Sequence, residues 1–290
     1  MSNQQSAICF YVSGHGFGHA SRDIELIQAL QRAEADALGR VHAGLVVADI
    51  PPLAFAAAAT AGVPSIAVGN FTWDWIYGVY DSFPRAAPGA IEIVRRAYAH
   101  ATLALRLPLH GGFEAMSAVV RDIPFIARRS TRPRDETRRL LRLPSDRPIV
   151  LPSFGGDAVH LPWDTLSQST HFALLRDQNS DLERHRLRYQ DLVAAADIVV
   201  SKPGYGIVSE CIANGTSLLY TSRGRFAEQD VFVTQMPRML RCRSIDRQDL
   251  LSGRWDSGVE ALLRQPHAAE RPRTDGADVA AEAIGKFLDR

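Results

Sequence analysis

Short apolar runs alternate with helical patterns along the whole chain, and several of these runs end in loops rich in glycine. Such alternation predicts an α/β protein with parallel strands, because a helix between two strands returns the chain to the edge where the next strand begins. The strand candidates are residues 8–12, 43–49, 65–68, 101–105, 148–152, 172–175, 198–201 and 217–221. The clearest helix candidates are residues 20–35, 89–100, 206–213 and 277–288.

The chain has 290 residues, which is enough for two domains with separate cores. The alternation breaks near Ile126, and the stretch 128–147 that follows holds eight arginines. Such a stretch is typical of a linker with an exposed helix, and anion steering toward a neighbouring cleft is the alternative. We therefore predict an amino-terminal domain over 1–127, a linker over 128–147 and a carboxyl-terminal domain over 148–290.

Composition argues against several classes of function. A net charge of +1 gives no sign of a nucleic-acid partner. Cys9, Cys211 and Cys242 lie too far apart for a paired metal or disulfide motif, and no segment offers the roughly 20 apolar residues of a membrane span. The polar amino terminus also lacks a basic leader. We expect a cytoplasmic protein without metal, nucleic acid or transmembrane segment, and the oligomeric state stays open.

The first glycine-rich loop lies between the strand candidate 8–12 and the helix candidate that begins near residue 20. Gly14, Gly16 and Gly18 would let backbone N–H groups approach a ligand at the helix N-terminus. The spacing is not that of a dinucleotide-binding fingerprint. His19 is a candidate general base, and His15 lies in the same turn. The alternative is that His19 caps or packs the first helical turn.

The segment 201–210 carries the most specific pattern. It follows a buried strand candidate, opens a helix, and contains Lys202, one of only two lysines in a chain rich in arginine. Glycines and a helix N-terminus suit a phosphate, and a carboxylate one turn into the helix can accept two hydrogen bonds from a ribose diol. The predicted donor-binding residues here are Lys202, Pro203, Gly204, Tyr205, Gly206, Ser209 and Glu210. For Glu210 the alternative is stabilisation of the helix dipole.

Two further loops of the second half follow strand candidates. Gly155 and Gly156 come after the strand 148–152, where a diphosphate would lie. Phe226, Glu228 and Gln229 come after the strand 217–221, and the last two suit sugar hydroxyls. An ordinary helix start with glutamate near its N-terminus explains Glu228 equally well.

An aromatic segment over 70–77 follows a strand candidate of the first half. Trp73, Trp75 and Tyr77 alternate there with polar side chains, among them Asn70 and Asp74. Aromatic rings interleaved with amide and carboxylate groups suit a sugar or lipid acceptor, whereas aromatic rings also simply fill cores. We place these residues on the acceptor side, with Asp74 as a catalytic candidate.

Three motifs together resemble a known family. They are GHGFGHASR over 14–22, NFTWDWIY over 70–77 and SKPGYGIVSE over 201–210. The chain is similar to the GT-B glycosyltransferases, including the N-acetylglucosaminyltransferase of the peptidoglycan lipid precursor. It resembles more strongly the amino-terminal glycosyltransferase-like domain of L-arabinokinases. No kinase segment follows, so sugar kinase activity is not expected.

The resemblance implies an α/β fold of two Rossmann-like domains that face each other across a cleft, with a UDP-sugar held mainly by the second. Glu210 would bind the ribose, Gly155 and Gly156 the diphosphate, and Glu228 with Gln229 the donor sugar. The resemblance also makes His19 a base or a phosphate contact. Neither a metal ion nor a cofactor is needed in this fold class. Relatives carry a longer stretch after the first helix, so the first domain is expected to be shortened.

Three functions compete on these residues. The leading one is transfer of a hexosyl or N-acetylhexosaminyl group from a UDP-sugar to an acceptor, with unknown stereochemistry and an unknown acceptor. A nucleotide-sugar epimerase of the same fold is the second. A non-catalytic nucleotide-sugar-binding or regulatory domain is the third. The shortened first domain favours this last reading, and His15, His19 and Asp74 oppose it.

Overall fold

A computed structural model describes residues 7–12, 23–154, 159–176 and 179–288. Its strands are β1 (Ala7–Val12), β2 (Ala43–Asp49), β3 (Ser65–Phe71), β4 (Leu103–Gly111), β5 (Val120–Asp122), β6 (Ile149–Ser153), β7 (Ala173–Leu174), β8 (Ile198–Ser201), β9 (Ser217–Tyr220) and β10 (Cys242–Ser244). The first seven helices are α1 (Asp23–Arg40), α2 (Pro52–Ala61), α3 (Trp73–Gly78), α4 (Phe83–Ala86), α5 (Ala90–Tyr98), α6 (Arg134–Leu140) and α7 (Trp163–Ser167). The others are α8 (Asn179–His185), α9 (Tyr189–Ala195), α10 (Tyr205–Asn214), α11 (Ala227–Met239), α12 (Arg247–Ser252), α13 (Asp256–Leu263) and α14 (Gly276–Leu288). None of these helices is long and apolar enough to cross a bilayer.

The chain divides into two compact units. The first contains residues 1–124 together with 275–290, and the second contains residues 125–274. The break near Ile126 in the sequence therefore lies close to the passage from one unit to the other. The closing segment, which we expected in the second domain, returns to the first unit.

The first unit is built on a parallel sheet with the strand order β1-β2-β3-β4-β5. Each crossover moves the chain in the same direction, and right-handed crossovers then place their helices on one face of the sheet. In agreement, α1 packs against α2, and α2 against α5. The core on this face joins strand residues such as Val46 and Ala67 to helix residues such as Phe55 and Tyr98.

Helix α14 packs against β2 of this first sheet. It buries Ala280 and Ala283, while its polar residues stay outside. A parallel sheet buries both of its faces. Since the crossover helices of the first unit lie on one face, an apolar helix from the chain's end has a reason to pack on this sheet. The predicted helix over 277–288 is real, and its place in the fold differs from the expected one.

The second unit has the parallel strand order β10-β9-β8-β6-β7. The chain moves to one side from β6 to β7 and then to the other side through β8, β9 and β10. The order therefore reverses between the neighbouring strands β6 and β8. Beneath the sheet, the fully buried ring of Trp255 stacks on Phe172 with centroids 6.1 Å apart. In open α/β sheets, ligands bind beyond the carboxyl ends of the strands at such a reversal.

The arginine-rich stretch 128–147 belongs to the second unit rather than forming a free linker. Helix α6 packs against α9, whose last carbonyl groups have no partner within their own helix. Arg134 Nε donates to Ala194 O at 2.6 Å, and Arg138 Nε donates to Ala195 O at 2.8 Å. Both arginines also pair with Asp197. Arginine is therefore used here to bind the carboxyl end of a helix, where cations are favourable.

The two strands that sequence reasoning missed are short, whereas the missed helices include α11 with 13 residues. Strands β5 and β10 have three residues each and lie at the ends of their sheets, where pairing needs no periodic pattern. Helix α3 begins at Trp73, so the aromatic segment 70–77 is the end of a strand followed by a helical turn.

Candidate functional site

A cleft of about 910 Å³ lies at the carboxyl edge of the second sheet. Its walls include Ser153 and Ser201, the last residues of β6 and β8. These are the two strands between which the strand order reverses. The volume falls within the range of about 300–1,000 Å³ that small-molecule sites occupy. The cleft is therefore placed where the topology of an α/β sheet predicts a ligand.

The floor of the cleft is held by hydroxyl groups. Ser201 Oγ donates to the backbone carbonyl of Ser153, which ties the ends of β6 and β8 together. Tyr189 at the start of α9 donates its hydroxyl to Ser153 Oγ at 2.5 Å. These bonds fix the end of β6, and the next residue, Phe154, lines the cleft. Gly155 and Gly156, predicted to face a diphosphate, lie outside the described residues.

The loop after β8 leads into α10 and contributes Lys202, Pro203, Gly204 and Gly206 to the cleft. Gly204 precedes the helix in an extended conformation, and neither glycine adopts a positive φ. A Cβ added at Gly206 would meet no atom within 4 Å. At Gly206 the fold itself therefore does not require glycine. The open space beside the backbone at the start of α10 is where a ligand could approach the N–H groups of this helix.

Glu210 is buried one turn further along α10, with a side chain that is 5% exposed. Its Oε1 accepts a hydrogen bond of 2.5 Å from Arg128 Nε. Its Oε2 is buried and has no hydrogen-bond partner among the described residues. A buried carboxylate oxygen without a hydrogen-bond donor destabilises the fold. When such an oxygen lines a cleft, a bound ligand can supply the missing donor.

Glu210 is the one carboxylate among the described residues that line the cleft, and several basic side chains line it as well. Arg223 Nη1 donates to Pro203 O at 3.3 Å and pairs with the buried Glu228 at 3.4 Å. The guanidinium of Arg176 lies 4.7 Å from the centre of the Trp163 ring. Together with Arg128 and Lys202 they make the lining strongly basic. Such a lining favours a ligand with phosphate groups, which arginine binds through two parallel hydrogen bonds.

Two predicted donor-binding residues of this segment do not line the cleft. The hydroxyl of Tyr205 accepts a hydrogen bond from the backbone N–H of Ile126 at 3.0 Å, and its ring stacks on Phe125 with centroids 5.9 Å apart. Burial raises the pKa of Tyr205 to about 12. Ser209 is buried and donates to Gly206 O at 3.0 Å within its own helix. Both residues therefore have structural roles, because their hydroxyl groups form hydrogen bonds with backbone groups.

The predicted sugar contacts lie next to the cleft without lining it. Gln229 Oε1 accepts a hydrogen bond from the backbone N–H of Arg223 at 3.0 Å, and the Phe226 ring lies 4.6 Å from the Arg223 guanidinium. Glu228 also contacts this arginine. All three residues therefore position Arg223, which itself lines the cleft. Gln229 lines a neighbouring cavity of about 660 Å³ with Thr221.

The acceptor-side candidates of the first unit are largely structural. Asn70 Nδ2 donates to Leu109 O at 3.4 Å, and Trp73 stacks on Tyr77 with centroids 5.4 Å apart. Trp75 packs over Gly111, where any side chain would collide with the indole ring. Glycine is also required at the next position, Gly112, because its φ is +83° and a Cβ would meet the Thr72 hydroxyl. Packing explains this segment, although its aromatic rings remain half-buried.

Asp74 is the one catalytic candidate that lies among the described residues. Its side chain is 2% exposed, and Oδ2 accepts a hydrogen bond of 3.2 Å from Arg95 Nε. Its Oδ1 is buried and has no partner in the described part of the chain. His15, Gly16, Gly18 and His19 lie outside that part. Among the described residues, no group of three histidine, cysteine or carboxylate side chains could hold a metal ion.

Sequence reasoning missed several residues that line the cleft. They are Arg128, Trp163, Arg176, Tyr189 and Arg223. Arg223 lies in the loop after β9, close to the predicted residues Glu228 and Gln229, so its position in the sequence could have indicated it. Arg128 begins the arginine-rich stretch, but nothing local distinguishes it from the arginines that bind the end of α9. The pairing of Arg128 with Glu210 joins residues 82 positions apart, and only the fold shows it.

Solved structures with the same architecture define the class. The calicheamicin glycosyltransferase matches with a TM-score of 0.58 and 16% identity, over 94% of this chain and 85% of that one. MurG of Acinetobacter baumannii matches with a TM-score of 0.57 and 11% identity, over 90% of this chain and 78% of that one. The UDP-GlcNAc 2-epimerase of Neisseria meningitidis, solved with UDP-GlcNAc, matches with a TM-score of 0.53 and 11% identity, over 90% of this chain and 81% of that one. The chain has the GT-B glycosyltransferase-like fold, as expected, and is shorter than these proteins.

One curated protein is similar in sequence over most of the chain. L-arabinokinase of Arabidopsis thaliana is 26% identical over 339 aligned positions, which cover 90% of this chain and 32% of that protein. The chain thus spans about a third of the length of this relative. The predicted resemblance to L-arabinokinases is confirmed. No protein-family model matches the sequence.

Proposed function

We propose that the protein binds a UDP-sugar in the cleft of the second unit and transfers its hexosyl or N-acetylhexosaminyl group to an acceptor, without a metal ion or a cofactor. The fold and its neighbours support a nucleotide-sugar-related function. The choice of uridine diphosphate, the transfer step and the independence from metal are the proposed parts.

The observation that carries the proposal is the state of Glu210. A buried carboxylate lines a cleft at the reversal of strand order, and one of its oxygens has no hydrogen-bond donor among the described residues. A ribose diol offers two O–H donors at the spacing of a carboxylate. Binding would therefore satisfy an acceptor that the protein leaves unpaired. Arg128 donates to Oε1, and its side chain is 60% exposed, so a ribose hydroxyl that replaces its hydrogen bond can displace it toward solvent.

The diphosphate would lie against the basic side of the same cleft. Lys202 and Arg223 flank the loop that opens α10, and this helix has ten residues whose first N–H groups point beyond its N-terminus. Helix N-termini and cations stabilise a departing diphosphate without a metal ion. Chelation by EDTA should accordingly leave turnover unchanged.

The base that would activate an acceptor is a further part of the proposal. His19 remains our candidate, because an imidazole accepts a proton near neutral pH. Asp74 is a poorer candidate for direct contact, since it is buried and paired with Arg95. A supporting role for Asp74 within the first unit agrees better with these contacts.

Calorimetry with UDP and UDP-N-acetylglucosamine tests the donor part of the proposal. We expect micromolar to millimolar binding that weakens in Glu210→Ala and persists in His19→Ala. Mass spectrometry of the same mixtures then follows slow hydrolysis of the donor. The nucleotide assignment is untenable if no UDP ligand binds at millimolar concentration.

A non-catalytic nucleotide-sugar-binding protein is the second candidate. The strand order of the first unit favours it, because a sheet without a reversal offers no ligand crevice of the usual kind. In that case UDP-sugars would bind without hydrolysis, transfer or epimerisation, and His19→Ala would change nothing. An epimerase of the same fold would instead convert the bound UDP-sugar into its epimer. The epimer has the same mass as the substrate, so chromatography of the same mixtures is needed to detect it. The cytoplasmic location stays a prediction.

A further inference from the structure

A second cavity, of about 680 Å³, opens at the opposite edge of the second sheet. It is lined by the last turn of α10, by Ser217 at the start of β9 and by the segments 129–134, 239–241 and 267–272. Strand β9 runs from this edge toward the nucleotide cleft and has four residues, which corresponds to about 13 Å. The two cavities are therefore separate.

The lining of this cavity is strongly basic. Five arginines and one histidine contribute to it: Arg129, Arg132, Arg134, Arg241, Arg271 and His267. Glu270 is the carboxylate among its described lining residues, and it pairs with Arg238 at 2.6 Å. For a chain with a net charge of +1, this is a large local excess of positive charge.

Part of this charge is not neutralised within the described part of the chain. Arg132 pairs with Glu136, and Arg134 pairs with Asp197. Arg241 donates to the neutral hydroxyl of Ser217 at 3.1 Å. Arg129 and Arg271 are exposed and make no hydrogen bond or ion pair with any described residue. Two full cations therefore face the cavity without a counter-charge.

The arginines also disfavour one another. The pKa of Arg134 is lowered, first by burial and then by Arg138 and Arg241, although Asp197 acts in the opposite direction. Cations that are crowded in this way gain when an anion enters between them. Some arginines of the stretch 128–147 bind the end of α9, and Arg129 and Arg132 of the same stretch line this cavity.

We propose that this cavity binds a small phosphorylated molecule. Several guanidinium groups around one space match a ligand with two or more phosphate charges, because each can donate two parallel hydrogen bonds to phosphate oxygens. The volume admits a ligand of metabolite size rather than a macromolecule. Met239 and Pro272 supply an apolar wall for the rest of the ligand. This site does not depend on the proposed donor site.

Tripolyphosphate is a suitable probe, added at low ionic strength, and hydrogen exchange then distinguishes binding at this cavity from binding at the other cleft. We expect calorimetric binding, together with slower hydrogen exchange of the backbone amides of 267–273. The double variant Arg129→Glu/Arg271→Glu should weaken binding by about tenfold or more, since charge-assisted contacts are lost and replaced by repulsion. Both side chains lack partners among the described residues, so the thermal midpoint should not fall.

A matched control carries the same change of net charge away from both cavities. Arg184 and Arg186 are exposed, and neither lines the cleft or the second cavity. Arg184→Glu/Arg186→Glu should keep the affinity for tripolyphosphate within about twofold. Equal losses in the two double variants would reduce the effect to long-range charge and overturn the site. Absence of binding, protection confined to 201–206, or binding only to vesicles of anionic phospholipid would overturn it as well.

Discussion

Replacing Glu210 by alanine should weaken the binding of UDP without weakening the fold. Its Oε1 accepts a hydrogen bond of 2.5 Å from Arg128 Nε, and its Oε2 is buried and has no donor in the described part of the chain. A hydrogen bond to a charged group contributes about 1.5–3 kcal/mol. If a ribose diol donates to both oxygens and displaces Arg128, the net loss in the variant is about 2–3 kcal/mol. This corresponds to a roughly 30- to 150-fold weaker affinity for UDP.

The stability of the same variant should change little. Removing Glu210 releases an exposed guanidinium to water and eliminates a buried charge whose hydrogen bonding is incomplete. The cost of an unpaired buried acceptor then offsets the loss of the ion pair. Glu210→Gln keeps the size of the side chain and one carbonyl acceptor, so its affinity should lie between those of the wild type and Glu210→Ala.

The assay is titration calorimetry with UDP and, in parallel, with uridine and pyrophosphate. Loss of affinity should appear with UDP and uridine and should be absent with pyrophosphate, because only the first two carry the ribose. Differential scanning calorimetry of the unliganded variants checks the fold. If Glu210→Ala binds UDP within twofold of the wild type, the ribose assignment is wrong. If it loses uridine and pyrophosphate equally, the cleft has lost its shape rather than one contact.

Arg128→Ala should lower the unfolding midpoint by a few degrees, because it leaves the buried Glu210 without its cation at a cost of about 1–2 kcal/mol; a calorimetric scan of both alanine variants tests this difference. Tyr205→Phe should destabilise the fold by about 1–3 kcal/mol through the unpaired N–H of Ile126, while UDP affinity is retained. Since the folded pKa of Tyr205 is about 12, above the usual value, its contribution is complete below pH 10 and is lost as the pH rises toward 12; the phenylalanine variant should lack this loss in pH-dependent urea unfolding. Gly206→Ala should keep or raise stability, because the added methyl group meets no atom within 4 Å, yet it should weaken UDP binding if the ligand approaches this backbone. EDTA should leave the rate of any donor turnover unchanged, and restoration of activity by added divalent ions would refute metal independence.

The sequence predicted the α/β class and most strands because buried parallel strands are continuous apolar runs with clear ends. It also singled out Lys202 and Glu210, which line the cleft and whose positions are set by a strand end and the helix that follows. It could not assign Tyr205, because its ring packs on Phe125 and its hydroxyl serves the backbone of Ile126, 79 residues away. Local patterns define which residues share a loop, and they contain no information on which distant segment packs beside it.

Strand order explains why the two halves of the chain differ in their candidate sites. In the second unit the order reverses between β6 and β8, and the last residues of these two strands, Ser153 and Ser201, both line the cleft. In the first unit the order runs from β1 to β5 without reversal, and the polar residues of the segment 70–77 are buried in packing. A ligand of the first unit must therefore contact the half-buried faces of the aromatic rings or the loop after β1. Variants at Trp73 and Tyr77, rather than at Asn70 or Asp74, are accordingly the ones that can separate acceptor binding from folding.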